Sequence, residues 1–527
     1  MRKAYRMMGL SLATAMVLAA CAPAAQPAPG EAAAPADGAV ANNGDAAIQN
    51  ELRVVVNSIP VDMDPPSTND TPSIRARRMV FDSLIHQDER TLELIPGLAV
   101  AWDMPDPQTV VMELRQGVTF HNGDPFNGEA VRFSLLRAAE TPAVISMAGM
   151  IEDVEVVDDY NIVIHLDMPF VPVLNALSQS QMGIVSPRAV QEAEELGIGF
   201  GDAPVGTGPF MFDEFVTGSH ISLVRNDDWW GELPAFERLT MRGIPEQANR
   251  LIEIETGNAD IAIDIAPIDV PIAMESPNVV LHRGPSTIIT YLGFNLEQGP
   301  LTDIRVRHAI AHALNMEAII GNAFAGTGHV AHSLLPSIAF GYESQEPFEF
   351  DLDRSRELLA EAGYPDGLEL RIWYNAGNQQ RADMAEMIQN QLTAVGINVI
   401  VETIEWAAYL DRTANAEHDM FILGWAAGNL DPDVSLMPLL HSTNLGAPGN
   451  RSFFVNERVD YLLEAGRQEL DEEVRHAIYA ELMGIVRDEA PIMFAVNHEE
   501  LHFSRPGVNG FYPTPNTVFR FDQVYFD

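Results

Sequence analysis

The strongest constraint on the fold is the way the hydrophobic period changes along the C-terminal half of the chain. Residues 351–362 read as a helix that stops at Gly363-Tyr364-Pro365-Asp366-Gly367. Residues 368–374 read as a strand. Met384, Met387, Ile388, Leu392 and Val395 then recur at helical spacing, Gly396 supplies the stop, and 397–403 is strand-like again. A chain that switches repeatedly between period 3.6 and period 2 packs helices onto a sheet, so an α/β fold is expected.

The N-terminal half is less regular. The β-branched run Leu52-Arg53-Val54-Val55-Val56 predicts a buried strand, broken by Asn57-Ser58-Ile59-Pro60. Thr71-Pro72 opens a helix whose apolar positions include Ile74, Phe81, Leu84 and Ile85. Residues 108–120 predict two strands around a Gln116-Gly117 turn, and 151–168 a hairpin around Asp158-Asp159-Tyr160-Asn161. Pro204-Val205-Gly206-Thr207-Gly208-Pro209 reads as a boundary between domains, and 527 residues suggest about three of them.

The first residues read as an address. Arg2, Lys3 and Arg6 precede an uncharged stretch, 7–20, which is too short to span a bilayer. It ends Leu18-Ala19-Ala20-Cys21, a pattern similar to a bacterial lipobox, in which the Cys21 thiol takes a diacylglycerol and becomes the first mature residue. Cys21 is also the chain's single cysteine, so neither a disulfide framework nor a thiolate metal cluster is available. Residues 22–49, rich in Ala, Pro, Gly and Gln, read as a disordered tether. With 75 acidic against 31 basic residues the net charge is −44, and loss of the leader makes the mature chain more negative still. Such a field repels phosphate and argues against a nucleic-acid partner.

Motifs for catalysis are scarce. Lys3 is the sole lysine, which excludes a phosphate loop with its lysine and a Schiff base in the mature chain. No Gly-x-Ser-x-Gly elbow occurs. His498-Glu499-Glu500-Leu501-His502 matches the zinc-protease string, which works when a helix puts both imidazoles on one face. Here Ile492, Phe494 and Val496 alternate just before it and Pro506-Gly507 closes it, so the expected context is a strand. Four strand residues span about 13 Å, too far for one zinc. His329 with His332, and His308 with His312, are weaker candidate pairs for a metal, against ordinary locally bonded histidines. Trp102, Trp229, Trp230, Trp373, Trp406 and Trp425 are expected mainly in packing, with one or two facing a pocket.

Several blocks then converge. Ile95-Pro96-Gly97-Leu98-Ala99 with Trp102, the run Leu114 to Phe126 containing Phe120-His121-Asn122-Gly123-Asp124, and Gly206-Thr207-Gly208-Pro209-Phe210 come first. Asn226 to Gly231, Glu255-Thr256-Gly257-Asn258-Ala259-Asp260-Ile261, Phe294-Asn295 and Asp303 to Ile310 follow. Leu358 to Gly367, and Gly424-Trp425 with Asp431-Pro432-Asp433, close the series. In this order they resemble the bacterial extracellular solute-binding proteins of the peptide/nickel type, family 5, over about 50–527.

The resemblance implies a two-lobed, hinged, periplasmic-binding-protein-like α/β fold with an extra domain inserted in the first lobe. Lobe I would comprise 50–81, 204–292 and 495–527, the insert 82–203, and lobe II 293–494. Crossings near Tyr291-Leu292-Gly293 and Phe494-Ala495-Val496 would form the hinge. It implies a monomer, not an enzyme, without cofactor or resident metal. This monomer would be anchored through Cys21 in the periplasm or on the outer face of the cytoplasmic membrane, and would deliver solutes to the permease and ATPase subunits of an ABC importer. In peptide binders of this type the cleft is lined by the turn after the first strand, here Asn57, Ser58, Ile59 and Pro60. Gly424, Trp425 and Ala426 also line it, and their backbone can pair with an extended ligand. A third element is an aspartate for the ligand's amino terminus, in whose place this chain has Gly428; Asp431 or Asp433 would have to substitute. Oligopeptide or dipeptide-like cargo is the leading expectation. Oligosaccharides, opines or metal chelates are the alternatives, with a sensor lipoprotein or a secreted hydrolase as other classes.

Overall fold

The computed structural model describes residues 50–527, apart from Pro448. The expected leader, Cys21 and the tether lie outside the described residues. Among the described residues no helix is long and apolar enough to cross a membrane.

An 11-stranded mixed sheet runs through the molecule. Its order from one edge is Ile397–Ile404, Leu368–Asn375, Met420–Ala426, Val280–Phe294, Ile492–Ser504, Ile261–Ala262, Glu51–Val56, Arg238–Gly243, His220–Arg225 and Phe210–Val216. The short strand His329–Val330 pairs beside this path with Ile492–Ser504. Two long antiparallel strands, Val280–Phe294 and Ile492–Ser504, occupy the middle and belong to both halves of the sheet. Their ladder is interrupted between Pro285 and Ile289.

Buried strands covered on both faces read as continuous apolar runs, because alternate side chains feed different cores. In Glu51–Val56, Leu52, Val54 and Val56 enter one core while Val55 enters another on the opposite face. The other half of the sheet repeats the arrangement: Leu292, Ile372 and Ile422 pack on one side, and Tyr291, Trp373 and Phe421 on the other. The helices expected at 351–362 and over Met384 to Val395 form as Leu352–Glu361 and Gln379–Thr393, capped by Asp351 and Asn378. The positive φ of Gly363 (94°) and Gly396 (88°) supplies the breaks after them.

A separate four-stranded antiparallel sheet, ordered Ala99–Asp106, Thr109–Leu114, Asn161–Leu166 and Ile151–Asp158, carries its own core with the helix Gly128–Ala139. Half-buried strands alternate: Val110, Met112 and Leu114 face that core, whereas Val111 and Glu113 face out.

Two local expectations need correction. The helix opened by Thr71-Pro72 ends at Val80, so Phe81, Leu84 and Ile85 lie beyond it. The Gly208 N–H takes the Val80 carbonyl at 2.9 Å, and Gly206 is pressed so closely on that carbonyl that a Cβ there would collide with it. The crossing of this Gly-rich segment ends the helix. After Thr109–Leu114 no second strand returns at 115–120, although Gly117 does turn (φ 76°). Both edges of Thr109–Leu114 are already taken, by Ala99–Asp106 and Asn161–Leu166. The 151–168 hairpin forms as expected.

Candidate functional site

Where the two long strands separate around their irregularity, side chains from both halves of the sheet enclose a cavity of ≈ 270 Å³. Ile265 and Pro267 approach from the half containing Glu51–Val56, and Phe324, Asn378 and Arg381 from the other; Thr290 and His498 lie on the crossing strands. His498 Nε2 and the Thr290 hydroxyl are 2.8 Å apart, and the imidazole meets the edge of Phe324 with 5.2 Å between ring centroids. Burial, reinforced by the Arg381 charge, lowers the His498 pKa to about 4, so the ring is neutral at pH 7.

Arg381 stands in the first turn of Gln379–Thr393, its N–H held by the Asn378 side chain at 2.9 Å. Its guanidinium donates to Asn375 Oδ1 at 2.6 Å. A Cβ on Gly424 would lie 2.9 Å from Arg381 Nη2, so the glycine makes room for the guanidinium against the strand Met420–Ala426. Burial lowers the Arg381 pKa while the Tyr409 and Tyr291 phenols raise it; an arginine so placed keeps its charge. Both phenols are pushed up by burial and stay neutral.

The partners of Arg381 set it apart. Other enclosed arginines are matched by carboxylates, as Arg75 by Asp264 and Arg475 by Asp431. Others are wrapped in carbonyls, as Arg77 by those of Asp62, Pro65 and Thr68. Among the described residues no carboxylate forms an ion pair with Arg381. Glu499 also borders the cavity, but Arg283 holds it at 2.9 Å through Nε and His329 Nε2 lies 3.0 Å away. The cavity therefore carries one uncompensated positive charge inside a strongly acidic chain.

The sequence-derived candidates fall in three places. Asn57, Ser58, Ile59 and Pro60 follow Glu51–Val56; Asn57 and Ser58 are exposed, Ile59 packs toward a core, and none of the four lines the cavity. Gly424, Trp425 and Ala426 end the strand Met420–Ala426. One edge of this strand pairs throughout with Val280–Phe294, and the other pairs with Leu368–Asn375 only at Met420 and Phe421. The second edge from Leu423 to Ala426 thus carries no ladder among the described residues, and Ala426 is exposed. Trp425 turns into packing: its Nε1 donates to the Val434 carbonyl at 3.1 Å. Gly428 and Asp431 lie farther on. The Gly428 carbonyl accepts from Asn516 Nδ2 at 3.2 Å, and Gln179 Oε1 stands 3.3 Å from where its Cβ would be. Asp431 is buried against Arg475 at 2.8 Å, and Asp433 against Arg467 at 2.5 Å.

The zinc-like string lies on the strand Ile492–Ser504, as its alternation predicts. Its two histidines have separate partners: His498 meets Thr290, and His502 Nδ1 accepts from the Asp264 N–H at 3.3 Å. His308 and His312 sit 2.7 Å from the carbonyls of Asp488 and Glu349. Among the described residues no group of three or more His, Cys, Asp or Glu is disposed to hold a metal. Arg381 and Thr290 were not legible as site residues. The one local signal was an arginine in a helix's first turn without an acidic neighbour at i+3 or i+4 to pair it.

The model of the bacterial extracellular solute-binding proteins, family 5 (middle), matches residues 93–447. The chain is similar to the glutathione-binding protein GsiB of Salmonella typhi, 29% identical over 483 residues that cover 89% of this chain and 93% of the relative. It is similar also to heme-binding protein A of Haemophilus influenzae, at 28% identity over 85% and 86% of the two chains. Among solved structures, the ABC transporter-associated periplasmic binding protein DppA from Helicobacter pylori, in complex with peptide STSA, superimposes with a TM-score of 0.77. It is 28% identical and covers 91% of this chain and 98% of its own.

Proposed function

This chain belongs to the family 5 bacterial extracellular solute-binding proteins, and we propose that it captures a net-anionic, peptide-like solute by closing two lobes over it. It is a non-enzymatic substrate-binding protein of an ABC transport system and works outside the cytoplasm. The lobes are read as 50–81 with 204–292 and 495–527, and as 293–494, with 82–203 inserted in the first. The separate cores and the two long crossing strands support that division. Ligand contacts to both sides would shift the population toward the closed form.

The observation that carries the ligand class is Arg381. An enclosed guanidinium without a carboxylate is completed by one from the ligand, in a charge-assisted, bidentate geometry. The free edge from Leu423 to Ala426 beside it suits an extended backbone, which adds main-chain hydrogen bonds without regard to side chain. Peptides, glutathione and opines carry the required carboxylate; a neutral oligosaccharide leaves Arg381 unmatched. In the loop beyond the strand's end, Asp431 and Asp433 are committed to arginines and Gly428 faces amides, so this part suits an uncharged group better than a free ammonium. Lipidation at Cys21, read from the sequence, would keep the protein beside its permease.

Calorimetry with dipeptides, glutathione, and their C-terminal amides tests this reading. Converting the carboxylate that meets Arg381 to an amide should cost roughly 100-fold in Kd, the worth of a charge-assisted hydrogen bond at about 1.5–3 kcal/mol. Acetylating the amino group should cost little. Equal affinity for acid and amide forms removes Arg381 from the site.

A further inference from the structure

Beyond the cavity, the loop after Met420–Ala426 and the C-terminal part of Glu457–Gln468 meet residues 170–179 in a second contact. The Val171 N–H donates to the Arg467 carbonyl at 2.8 Å. The Arg467 guanidinium, held by Asp433, lies over the Phe170 ring with 5.2 Å to its centroid. Asn175 Nδ2 donates to Asp431 Oδ2 at 3.4 Å, while Arg475 holds the other oxygen at 2.8 Å. Gln179 and Asn516 close on Gly428 from the same side.

The two sides of this seam belong to different cores. Phe170, Val173 and Leu177 pack with the four-stranded sheet, whereas Leu436, Leu462 and Tyr479 pack beneath the opposing loop and helix. Its contacts are polar or place a cation on a ring, and water replaces such contacts at small net cost. That distinguishes the seam from the apolar cores. None of the seam residues lines the cavity beside Arg381, and the loop that carries Gly428, Asp431 and Asp433 begins only after the strand holding Gly424 ends at Ala426.

We propose that this seam is a ligand-independent clasp, which holds the lobes together at the end of the cleft away from Arg381 before any solute arrives. The inference rests on the two-lobed, hinged reading above. When the binding-competent form is fractionally populated, the apparent Kd is the intrinsic value divided by that fraction. A clasp remote from the ligand therefore scales the affinity for every solute alike, leaving selectivity to the cavity.

The Val171 amide reports the clasp directly. Hydrogen exchange at this amide and small-angle scattering are measured on the protein without ligand, in the parent and in Asn175→Asp. The substitution keeps the side chain's shape and sets a second carboxylate against Asp431. The expected result is a protected Val171 amide and a compact particle in the parent. In the variant, exchange is at least tenfold faster and the radius of gyration larger, with the circular dichroism unchanged. If Asn175→Asp does not fold, Phe170→Ala, which removes the ring under Arg467, carries the same comparison. A ligand-free parent that is already expanded, with Val171 exchanging freely, overturns the clasp and leaves the hinge intact. A variant that stays compact and protected overturns both, because the seam is then fixed packing and the halves do not separate there.

Discussion

Replacing Arg381 by Met separates the ligand-binding role of this residue from a structural one, because the two predict opposite signs in two measurements. The substitution keeps the aliphatic reach beside Gly424 and deletes the charge. In the ligand-free protein it removes the hydrogen bond to Asn375 Oδ1, worth about 1 kcal/mol. It also removes the cost of enclosing a cation that no carboxylate compensates. That cost is several kcal/mol for a fully buried ion, and about 2 kcal/mol is a reasonable share for a half-buried group open to a cavity. The ligand-free variant should therefore be more stable by about 1 kcal/mol, or about 2 °C in Tm. In the complex it loses a bidentate, charge-assisted contact worth about 3 kcal/mol, or more than 100-fold in Kd. Calorimetry and thermal unfolding of one preparation measure both. Unchanged affinity, or a Tm lowered by several degrees, refutes the assignment and makes Arg381 a packing residue.

Trp425→Ala should lower stability by about 2–3 kcal/mol, less than a fully buried tryptophan, and change Kd by no more than about threefold. Denaturant unfolding and calorimetry distinguish this from a tryptophan that covers the ligand, for which affinity falls and stability holds. His418 is fully buried between Trp373 and Phe421, and burial lowers its pKa to about 4. The unfolded chain takes up this proton near pH 6.5 and the folded one near pH 4. The His418 contribution is thus complete above pH 6.5 and is lost as the pH falls, by about 3 kcal/mol at pH 4. His418→Leu should flatten that part of the stability–pH profile, as read by denaturation at each pH. Cys21→Ser should release the protein from the membrane fraction, as read by fractionation and immunoblotting.

Local elements were legible because their causes are local. Stops such as Gly363 and Gly396, and the alternation along Ile492–Ser504, act within a few residues. The same alternation placed His498 and His502 on a strand and argued against a shared zinc. Where the reading failed, a distant segment intervened. The helix after Thr71 stops at Val80 because Gly206 and Gly208 cross it, more than a hundred residues away. No hairpin forms at 116–117 because both edges of Thr109–Leu114 already have partners.

By itself the sequence determined the family, the α/β alternation and the strand that carries His498 and His502. These follow from residue types at fixed short spacings. Only the tertiary structure decided the chemistry of the cleft. Asp431 and Asp433 look like available acids until Arg475 and Arg467, each more than thirty residues away, are seen to hold them. Arg381 looks like any surface arginine of an amphipathic helix until Gly424 admits its guanidinium and no carboxylate meets it. A charge takes its meaning from its counter-charge, and pairing across the fold depends on register and packing that no local pattern encodes.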